Sequence, residues 1–181
     1  MPILGAHFRG GIALDYTIRP IQEQEIAVLD DFLLEAIYIP PWYTQKISKD
    51  VLTSDSKLRA AIEDFGTMPD DHALVALMKG RVVGAVWARI ADTYGRVDVQ
   101  TPCLCISLYK AYRGKGVGTA LMTRMLARLQ AKGYEKVSLS VDEANPAVRL
   151  YQKLGFQDAG RGDEPTERLM VCPLNQTHRS G

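Results

Sequence analysis

The sequence lacks the features that mark several common classes of protein. Its 22 basic and 21 acidic side chains leave a formal net charge of +1, whereas nucleic-acid-binding domains usually carry a strong basic excess. No apolar run reaches the ~18 residues of a membrane span, and the amino terminus lacks the charged start and long apolar core of a signal peptide. We therefore expect a cytoplasmic protein that binds neither nucleic acid nor a membrane.

Cysteine is scarce as well. The chain has three cysteines, and Cys103 and Cys105 stand at an i, i+2 spacing that zinc knuckles do not use. An odd number of cysteines cannot form a complete set of disulfides within one chain. We expect Cys103, Cys105 and Cys172 to be reduced thiols, and we expect no metal site.

Internal repeats and low-complexity tracts are also absent from the sequence. At 181 residues, of which 46% are apolar, the chain suits one globular domain with a real core, and two full domains would be cramped. We expect a single domain over residues 15–174, an N-terminal extension over 1–14 and a C-terminal tail over 175–181.

The spacing of apolar residues predicts the order of helices and strands. Apolar residues recur at helical spacing over 21–38, and the proline pair that follows cannot continue a helix. Lys79-Gly80 indicates a hairpin between two strands within 72–90. Three further helices are predicted: one at 56–65, one that runs from the glycine-rich loop to near Gly133, and one at 145–155 with Asn145 as N-cap. Further strands are predicted at 16–20, 103–109, 136–141, 155–159 and 167–173. This order fits an α+β fold, a mixed α/β sheet with helices on both faces.

Residues 112–122, YRGKGVGTALM, are the most informative stretch. Three glycines lead into a helix, and a helix start offers unpaired amide N–H groups and partial positive charge to an anion. No acidic residue lies between Asp98 and Glu135, whereas six cations do: Lys110, Arg113, Lys115, Arg124, Arg128 and Lys132. We expect a phosphate-bearing ligand, although the spacing matches neither the nucleotide P-loop nor the dinucleotide fingerprint.

The same stretch resembles the acyl-coenzyme A loop of the GNAT superfamily of N-acetyltransferases, whose pattern is Arg/Gln-x-x-Gly-x-Gly/Ala. Arg113, Gly116 and Gly118 match it. The stretch LSVDEANPAVRLYQKLGF is similar to the family's second signature, and its matching residues are Asn145, Tyr151, Gly155 and Phe156. Together the two signatures cover about residues 102–157. The resemblance implies a central, mostly antiparallel sheet with helices on both faces, and acetyl transfer from acetyl-coenzyme A to a primary amine.

The resemblance also implies how acetyl-coenzyme A is held. The backbone from Ile106 to Leu108 would pair with the amide-bearing arm of the coenzyme and polarise the thioester carbonyl. Asn145 would contact the same arm. The amides that cap the pyrophosphate would be those of Arg113, Gly114, Lys115, Gly116, Val117, Gly118 and Thr119. Acetyl-coenzyme A is thus the expected co-substrate, with no metal.

Tyr151 is the general acid that the resemblance implies. Coenzyme A leaves as a thiolate, and a phenol with a pKa of about 10 can protonate it. Tyr151 also shares an apolar helical face with Ala147, Leu150 and Leu154, so a purely structural role is the alternative. We expect the amine to attack directly in a ternary complex.

The general base is left open. Cys103 stands about where many family members carry an acidic residue in the strand before the loop. The remaining candidates are four loop carboxylates, Asp92, Asp98, Asp142 and Glu143. The alternative is that no side chain acts as base and the acceptor loses its proton through a chain of water molecules. The missing acid supports an alternative function, a non-catalytic acyl-coenzyme A sensor or interaction module on the same fold.

A covalent acyl-enzyme on Cys105 or Ser107 is a further alternative. A nucleophilic cysteine needs an activating base nearby, and His7, His72 and His178 are all distant from Cys105 in the sequence. Nucleic-acid binding through the six cations is disfavoured, because charge on the outer face of a helix is usually only solvated.

The acceptor amine is open between a small molecule and a peptide, and the oligomeric state is open between a monomer and a homodimer. One hypothesis is a cationic acceptor drawn to an acidic helical face, whose members are Glu23, Glu25, Asp30, Asp31 and Glu35. The alternative is that this face is merely solvated. Trp42 and Tyr43 are expected either to wall an acceptor pocket or to cover the sheet edge.

Overall fold

The computed structural model describes residues 3–4 and 15–174. The predicted C-terminal tail and most of the N-terminal extension, with His7 and His178, lie outside the described residues. The strands are β1 (Ile3–Leu4), β2 (Thr17–Pro20), β3 (His72–Met78), β4 (Arg81–Arg89), β5 (Cys103–Leu108), β6 (Lys136–Asp142), β7 (Gln157–Arg161) and β8 (Glu167–Pro173). The helices are α1 (Val28–Ala36), α2 (Val51–Ser54), α3 (Ser56–Ala60), α4 (Val117–Ala131) and α5 (Ala147–Lys153).

The eight strands form one mixed sheet in the order β1-β2-β3-β4-β5-β6-β8-β7. Neighbouring strands pair antiparallel except β5 and β6, which are parallel. That pair has one register contact, Cys103 with Ser138, next to a bond from the Ser138 amide to the Pro102 carbonyl (3.0 Å). The predicted α+β fold with a mostly antiparallel sheet is confirmed.

Helices cover both faces of the sheet, as predicted. On one face α1 buries Phe32 in a core that includes Trp87 of β4. On the other face α4 buries Leu121 and Met125 in a core that includes Val86. Val86 and Trp87 are neighbours in β4 and enter opposite cores because side chains alternate along a strand. No helix in the described part of the chain is long and apolar enough to cross a membrane.

The first predicted helix begins later than expected. A 3-10 turn occupies Glu23–Glu25, and α1 starts at Val28. The carboxylate of Glu25 accepts a bond from the Gln22 amide (2.9 Å) and pairs with the Arg19 guanidinium (2.6 Å). These bonds cap a separate turn ahead of the helix, and a search for helical spacing does not detect them.

The second predicted helix is shorter than expected. It was predicted over 56–65, whereas α3 ends at Ala60. Side chains of β4 bind the carbonyls that follow: Arg89 donates to Ala60 (3.0 Å) and Glu63 (2.8 Å), and the Trp87 indole donates to Ala61 (3.2 Å). Because β4 is distant in sequence, the local pattern could not predict this end.

Two local predictions are confirmed. Lys79 and Gly80 join β3 to β4 with φ values of 50° and 77°, as a two-residue type I′ hairpin requires. At the end of α4, Gly133 has a φ of 89° and its amide donates to the Gln130 carbonyl (3.0 Å), which is one of the bonds of a glycine C-cap.

Gly84→Ala is expected to lower the free energy of unfolding by about 1–3 kcal/mol through overpacking. A Cβ at Gly84 would lie 2.7 Å from Cγ of Leu108 in the neighbouring strand. Chemical denaturation of Gly84→Ala, Leu108→Ala and the double variant measures the effect. The double variant should lose less unfolding free energy than the two single variants lose together, because Leu108→Ala makes room for the new methyl group. A loss equal to the sum of the two would contradict this explanation.

Candidate active site

The glycine-rich loop turns the chain from β5 into α4. Gly114 and Gly116 have φ values of 70° and 84°, and a Cβ at either position would meet nothing within 4 Å. The space beside the loop is therefore open to a ligand. Val117, Gly118 and Thr119 form the first turn of α4, where amide N–H groups have no acceptor within the helix. These features suit an anion such as a phosphate.

Gly118 allows a close approach between α4 and β5. A Cβ at this position would lie 3.3 Å from Cδ1 of Leu108, so glycine lets α4 pack closely on β5. Val117 is fully buried in the core between them. Lys110 and Lys115 are exposed at the loop and supply positive charge to its surroundings.

Arg113 holds the loop in place through its side chain. The guanidinium donates to the Leu108 carbonyl (2.8 Å), to the Glu35 carboxylate (2.8 Å) and to the Glu35 carbonyl (3.1 Å). It thus ties the loop to the ends of β5 and α1. The Arg113 amide donates to the Lys110 carbonyl (3.2 Å), so it already has an acceptor in this structure, and its contact with the pyrophosphate stays a prediction.

Beside the loop, β5 and β6 separate. Among the described residues their register contact is limited to Cys103 with Ser138, although the strands run on to Leu108 and Asp142. The separation opens a gap within the sheet. Ile106 and Leu108, both predicted site residues, lie along its β5 side.

Two cavities meet at this gap. The loop cavity, of about 580 Å³, is bordered by Lys110, Arg113 and Gly118. The α3 cavity, of about 730 Å³, lies among α2, α3 and the ends of β6 and β8. The residues that line both cavities are Ala36, Ile37, Tyr38, Lys46, Ile47, Ile106, Asn145 and Tyr151. Three predicted site residues therefore stand where the two compartments join, which suits a reaction between two substrates.

The end of α5 fixes the position of Tyr151. The Gly155 amide donates to the Gln152 carbonyl (3.1 Å), and the Phe156 amide donates to the Tyr151 carbonyl (3.0 Å), the two bonds of a Schellman motif. Gly155 has the positive φ that this motif needs, 95°. The Phe156 ring then packs 5.8 Å from the Tyr151 ring. The second signature is thus a device that holds one phenol at the junction of the cavities.

Burial controls the protonation of Tyr151. The residue is 8% exposed, and the loss of solvation, with a smaller contribution from Cys105, raises the pKa of the phenol above its ordinary value of 10.0. The phenol therefore stays neutral and keeps its proton at physiological pH. A general acid needs its proton in place before the reaction.

Asn145 lies at the start of α5. The helix is assigned from Ala147, with Pro146 at the N-cap position, one residue later than predicted. The side-chain oxygen of Asn145 nevertheless accepts a bond from the Ala147 amide (2.9 Å). This bond orients the side chain at the junction, where Asn145 lines both cavities.

The environments of Cys103, Cys105 and Ser107 do not activate these side chains as nucleophiles. Burial raises the pKa of the Cys103 thiol to about 11 and that of Cys105 further, and the Ser107 hydroxyl donates to the Phe32 carbonyl (2.5 Å). A covalent acyl-enzyme therefore has no support, because a thiolate is the nucleophile. All three cysteines are free, as predicted. Among the described residues, no group of three His, Cys, Asp or Glu side chains is arranged to hold a metal ion.

Two of the carboxylates considered as bases are engaged in surface ion pairs. Asp92 pairs with Arg96 (3.4 Å). Asp98 pairs with Lys136 (2.8 Å), and hydrogen bonds from Lys136 and from Thr101 lower the pKa of its carboxyl group. Neither residue lines the two cavities. Both are poor candidates for removing a proton from a substrate.

The other two candidates are also unsuited to act as the base. Asp142 lines the α3 cavity, but its carboxylate accepts bonds from the Ala144 amide (2.8 Å) and the Thr166 hydroxyl (2.8 Å). These bonds shape the turn after β6. Glu143 is exposed and lines neither cavity.

Glu167 is a cavity carboxylate that the sequence analysis did not consider. It is the first residue of β8 and lines the α3 cavity. Its Oε2 atom and the Ser140 hydroxyl are buried, and neither has a hydrogen-bond partner of good geometry among the described residues. No local signal distinguishes Glu167 from any polar residue at a strand end; the pairing of Glu167 with Asp142 between β8 and β6 brings it to the cavity.

Ion pairs engage part of the acidic face around α1. Three of its five carboxylates are in ion pairs, namely Glu25 with Arg19 (2.6 Å), Asp31 with Lys49 (2.6 Å) and Glu35 with Arg113 (2.8 Å). Of the five, Glu35 lines the loop cavity and the others line neither cavity. The face therefore gives no support to the idea that it attracts the acceptor.

The two aromatic residues of the loop after α1 have different environments. Trp42 is 78% exposed, so it neither walls a pocket nor covers the sheet edge. Tyr43 lines the α3 cavity. Tyr43 thus follows the pocket interpretation, and Trp42 follows neither.

Residues 34–156 match the model of a protein family described as the Acetyltransferase (GNAT) family. The mycothiol acetyltransferase of Thermobispora bispora is 39% identical over 79 residues, which are 42% of this chain and 27% of that protein. An N-alpha-acetyltransferase of Sulfurisphaera tokodaii is 37% identical over an alignment of 114 residues, and the match covers 55% of this chain and 68% of that protein. The chain spans less than half the length of the first curated relatives it matches.

Solved structures share the fold. The yncA protein of Salmonella typhimurium, whose structure holds its cofactor acetyl-CoA, superposes with a TM-score of 0.62. It is 19% identical, and the match covers 89% of this chain and 95% of that one. At this identity the likeness concerns the arrangement of helices and strands.

Proposed function

Because the chain belongs to the GNAT family of acetyltransferases, we propose that it transfers the acetyl group of acetyl-coenzyme A to a primary amine by direct attack in a ternary complex. The observation that carries this proposal is the junction of two cavities at Ile106, Asn145 and Tyr151. One cavity borders an anion-binding loop and the other does not. Residues 15–174 form the catalytic domain in this proposal.

The loop cavity receives acetyl-coenzyme A. The amides from Gly114 to Thr119 cap the pyrophosphate, and Lys110 and Lys115 add positive charge. The backbone from Ile106 to Leu108 pairs with the amide-bearing arm in the gap that β6 leaves, and one of its N–H groups polarises the thioester carbonyl. Asn145 contacts the arm from the opposite side of the gap.

The α3 cavity receives the amine. Its volume of about 730 Å³ is in the range of small-molecule sites, and it also suits the end of a peptide. The amine reaches the thioester at the junction, so both substrates are bound before the acetyl group moves. Holding them together in the right orientation supplies part of the rate.

Tyr151 protonates the sulfur of coenzyme A as the C–S bond breaks. A tyrosinate left in a buried site is costly, so the lost proton has to be replaced at once. The nitrogen of the attacking amine carries a surplus proton at this stage and supplies it. The net effect is that Tyr151 relays a proton from nitrogen to sulfur.

A screen of primary amines tests the proposal. The protein is incubated with acetyl-coenzyme A and, in turn, a short peptide with a free α-amino group, a free amino acid, a polyamine and an amino sugar, while release of free coenzyme A is followed. We expect release with at least one class and little without an amine. Binding of acetyl-coenzyme A without release for any amine would favour the alternative of a non-catalytic sensor, which Cys103 in the place of an acid supports.

A further inference from the structure

We propose that Glu167 is the general base that takes the proton from the ammonium group of the acceptor. The assignment rests on the proposed function, since it concerns the amine side of the same reaction. It names a residue in the α3 cavity that neither signature contains. The argument depends on where the carboxylate lies and on what surrounds it.

Glu167 is one of the residues that line the α3 cavity. Glu167 is opposite Asp142 in the β6–β8 pairing, and a Cβ at Gly162 would lie 2.9 Å from its Oε2 atom and 3.2 Å from the Ser140 hydroxyl. The lack of a side chain at Gly162 therefore leaves room for the carboxylate and the hydroxyl side by side. Ser140, Glu167 and Tyr151 line the same cavity.

An acidic oxygen without a partner is expensive in a folded protein. A buried polar atom that makes no hydrogen bond costs free energy, and more when the group is charged. The Oε2 atom of Glu167 is buried and makes no hydrogen bond to any described residue. Packing alone would favour an apolar side chain or a satisfied amide at this position, so the carboxylate has the character of a group kept for a substrate.

The surroundings of Glu167 favour its neutral form. Burial raises the pKa of its carboxyl group above the ordinary 4.5, Asp163 and Glu164 raise it further, and the nearby Ser140 side chain and Glu164 backbone offset part of the rise. The charged and titratable groups that face it from the packed elements are Lys57, Tyr94, Asp142, Asp163 and Glu164. Lys57 forms an ion pair with Asp163 (2.7 Å), so the Asp163 carboxylate largely neutralises its charge. A base whose pKa is closer to neutrality transfers protons more efficiently than an ordinary glutamate.

The proton balance uses Glu167 and Tyr151 in turn. The ammonium group loses two protons on the way to the amide. The first passes to the Glu167 carboxylate, with the Ser140 hydroxyl beside it as a bridge, and then leaves to solvent. The second is the proton that replaces the one Tyr151 gives to sulfur, as the N–C bond forms and the C–S bond breaks. One proton is released to solvent for each acetyl group transferred.

Glu167→Gln is the decisive variant, with Glu143→Gln as its matched control. Both remove one negative charge near the end of β6, but Glu143 is exposed and lines neither cavity. Acetyl transfer is measured against pH with the fastest of the four panel amines. In the parent, kcat/KM should fall as pH falls through the raised pKa of Glu167. Glu167→Gln should lower kcat about 100-fold or more and lose this acid limb, whereas Glu143→Gln should keep both.

The melting temperature separates a base from a structural residue. Because the pKa of folded Glu167 is raised, its contribution to stability is present at low pH and is lost as pH rises through that pKa. Glutamine resembles the protonated form, so Glu167→Gln should be at least as stable as the parent at pH 7. A structural carboxylate would give a lower melting temperature instead.

Each outcome has a distinct meaning. An active parent with unchanged turnover and pH profile in Glu167→Gln would overturn the assignment and leave the proposed function intact. An equal loss in Glu143→Gln would overturn it too, because the effect would then be one of general charge. A parent that acetylates none of the panel amines would contradict the proposed function and the assignment together.

Discussion

Replacement of Tyr151 by phenylalanine is expected to lower kcat by about 100- to 10,000-fold, the usual contribution of general acid catalysis. Phenylalanine keeps the ring that packs 5.8 Å from Phe156 and removes the hydroxyl group alone. The melting temperature and the binding of acetyl-coenzyme A should therefore change little. Steady-state kinetics with the amine found in the screen, together with a thermal melt, measure both quantities.

Tyr16→Phe is the matched control for this substitution. Tyr16 is 6% exposed and belongs to the same hydrophobic core as Tyr151, but it lines neither cavity. It should keep the parent's turnover. If Tyr151→Phe also keeps it, with the chemical step shown to limit the rate, Tyr151 is a core residue and the proton comes from elsewhere.

Gly116→Glu is expected to abolish the stabilisation that acetyl-coenzyme A gives. A ligand at 100 times its dissociation constant stabilises the native state by about 2.7 kcal/mol, which for a domain of this size raises the melting temperature by about 5–10 °C. The open space beside Gly116 would be filled by the new side chain, and its negative charge would repel the pyrophosphate. Thermal melts with and without acetyl-coenzyme A measure the loss.

Gly133→Glu controls for the backbone conformation. Gly133 lies just beyond the other end of α4, has a φ of 89°, close to the 84° of Gly116, and also has open space at its Cβ position. Both variants therefore pay a similar conformational cost. Gly133→Glu should keep the full shift with acetyl-coenzyme A; an equal shift in Gly116→Glu would remove the loop from the binding site.

Short-range patterns predicted the parts of the fold whose geometry is local. The Lys79-Gly80 hairpin, the strand at Cys103–Leu108 and the end of α4 before Gly133 follow from backbone preferences and hydrophobic spacing within a few residues. The second signature works in the same way. Gly155 and Phe156 complete the cap of α5 and thereby fix the position of Tyr151, so this stretch of sequence determines the local structure by itself.

The features that sequence reasoning missed depend on contacts between distant segments. Arg113 binds Glu35, 78 residues earlier in the chain, so its side chain serves the loop as an anchor. The end of α3 depends on bonds from Trp87 and Arg89. Glu167 enters the cavity because β8 pairs with β6. No spacing rule within one segment contains this information.

Transfer of a labelled acetyl group tests the central claim most directly. The protein is incubated with acetyl-coenzyme A labelled in the acetyl group, with and without the amine found in the screen, and mass spectrometry follows the label. The account predicts that the label moves to the nitrogen of the amine, that the protein stays unlabelled when the amine is absent, and that Tyr151→Phe slows the transfer. Label that stays on coenzyme A, although acetyl-coenzyme A raises the melting temperature, would contradict the account and leave a binding module.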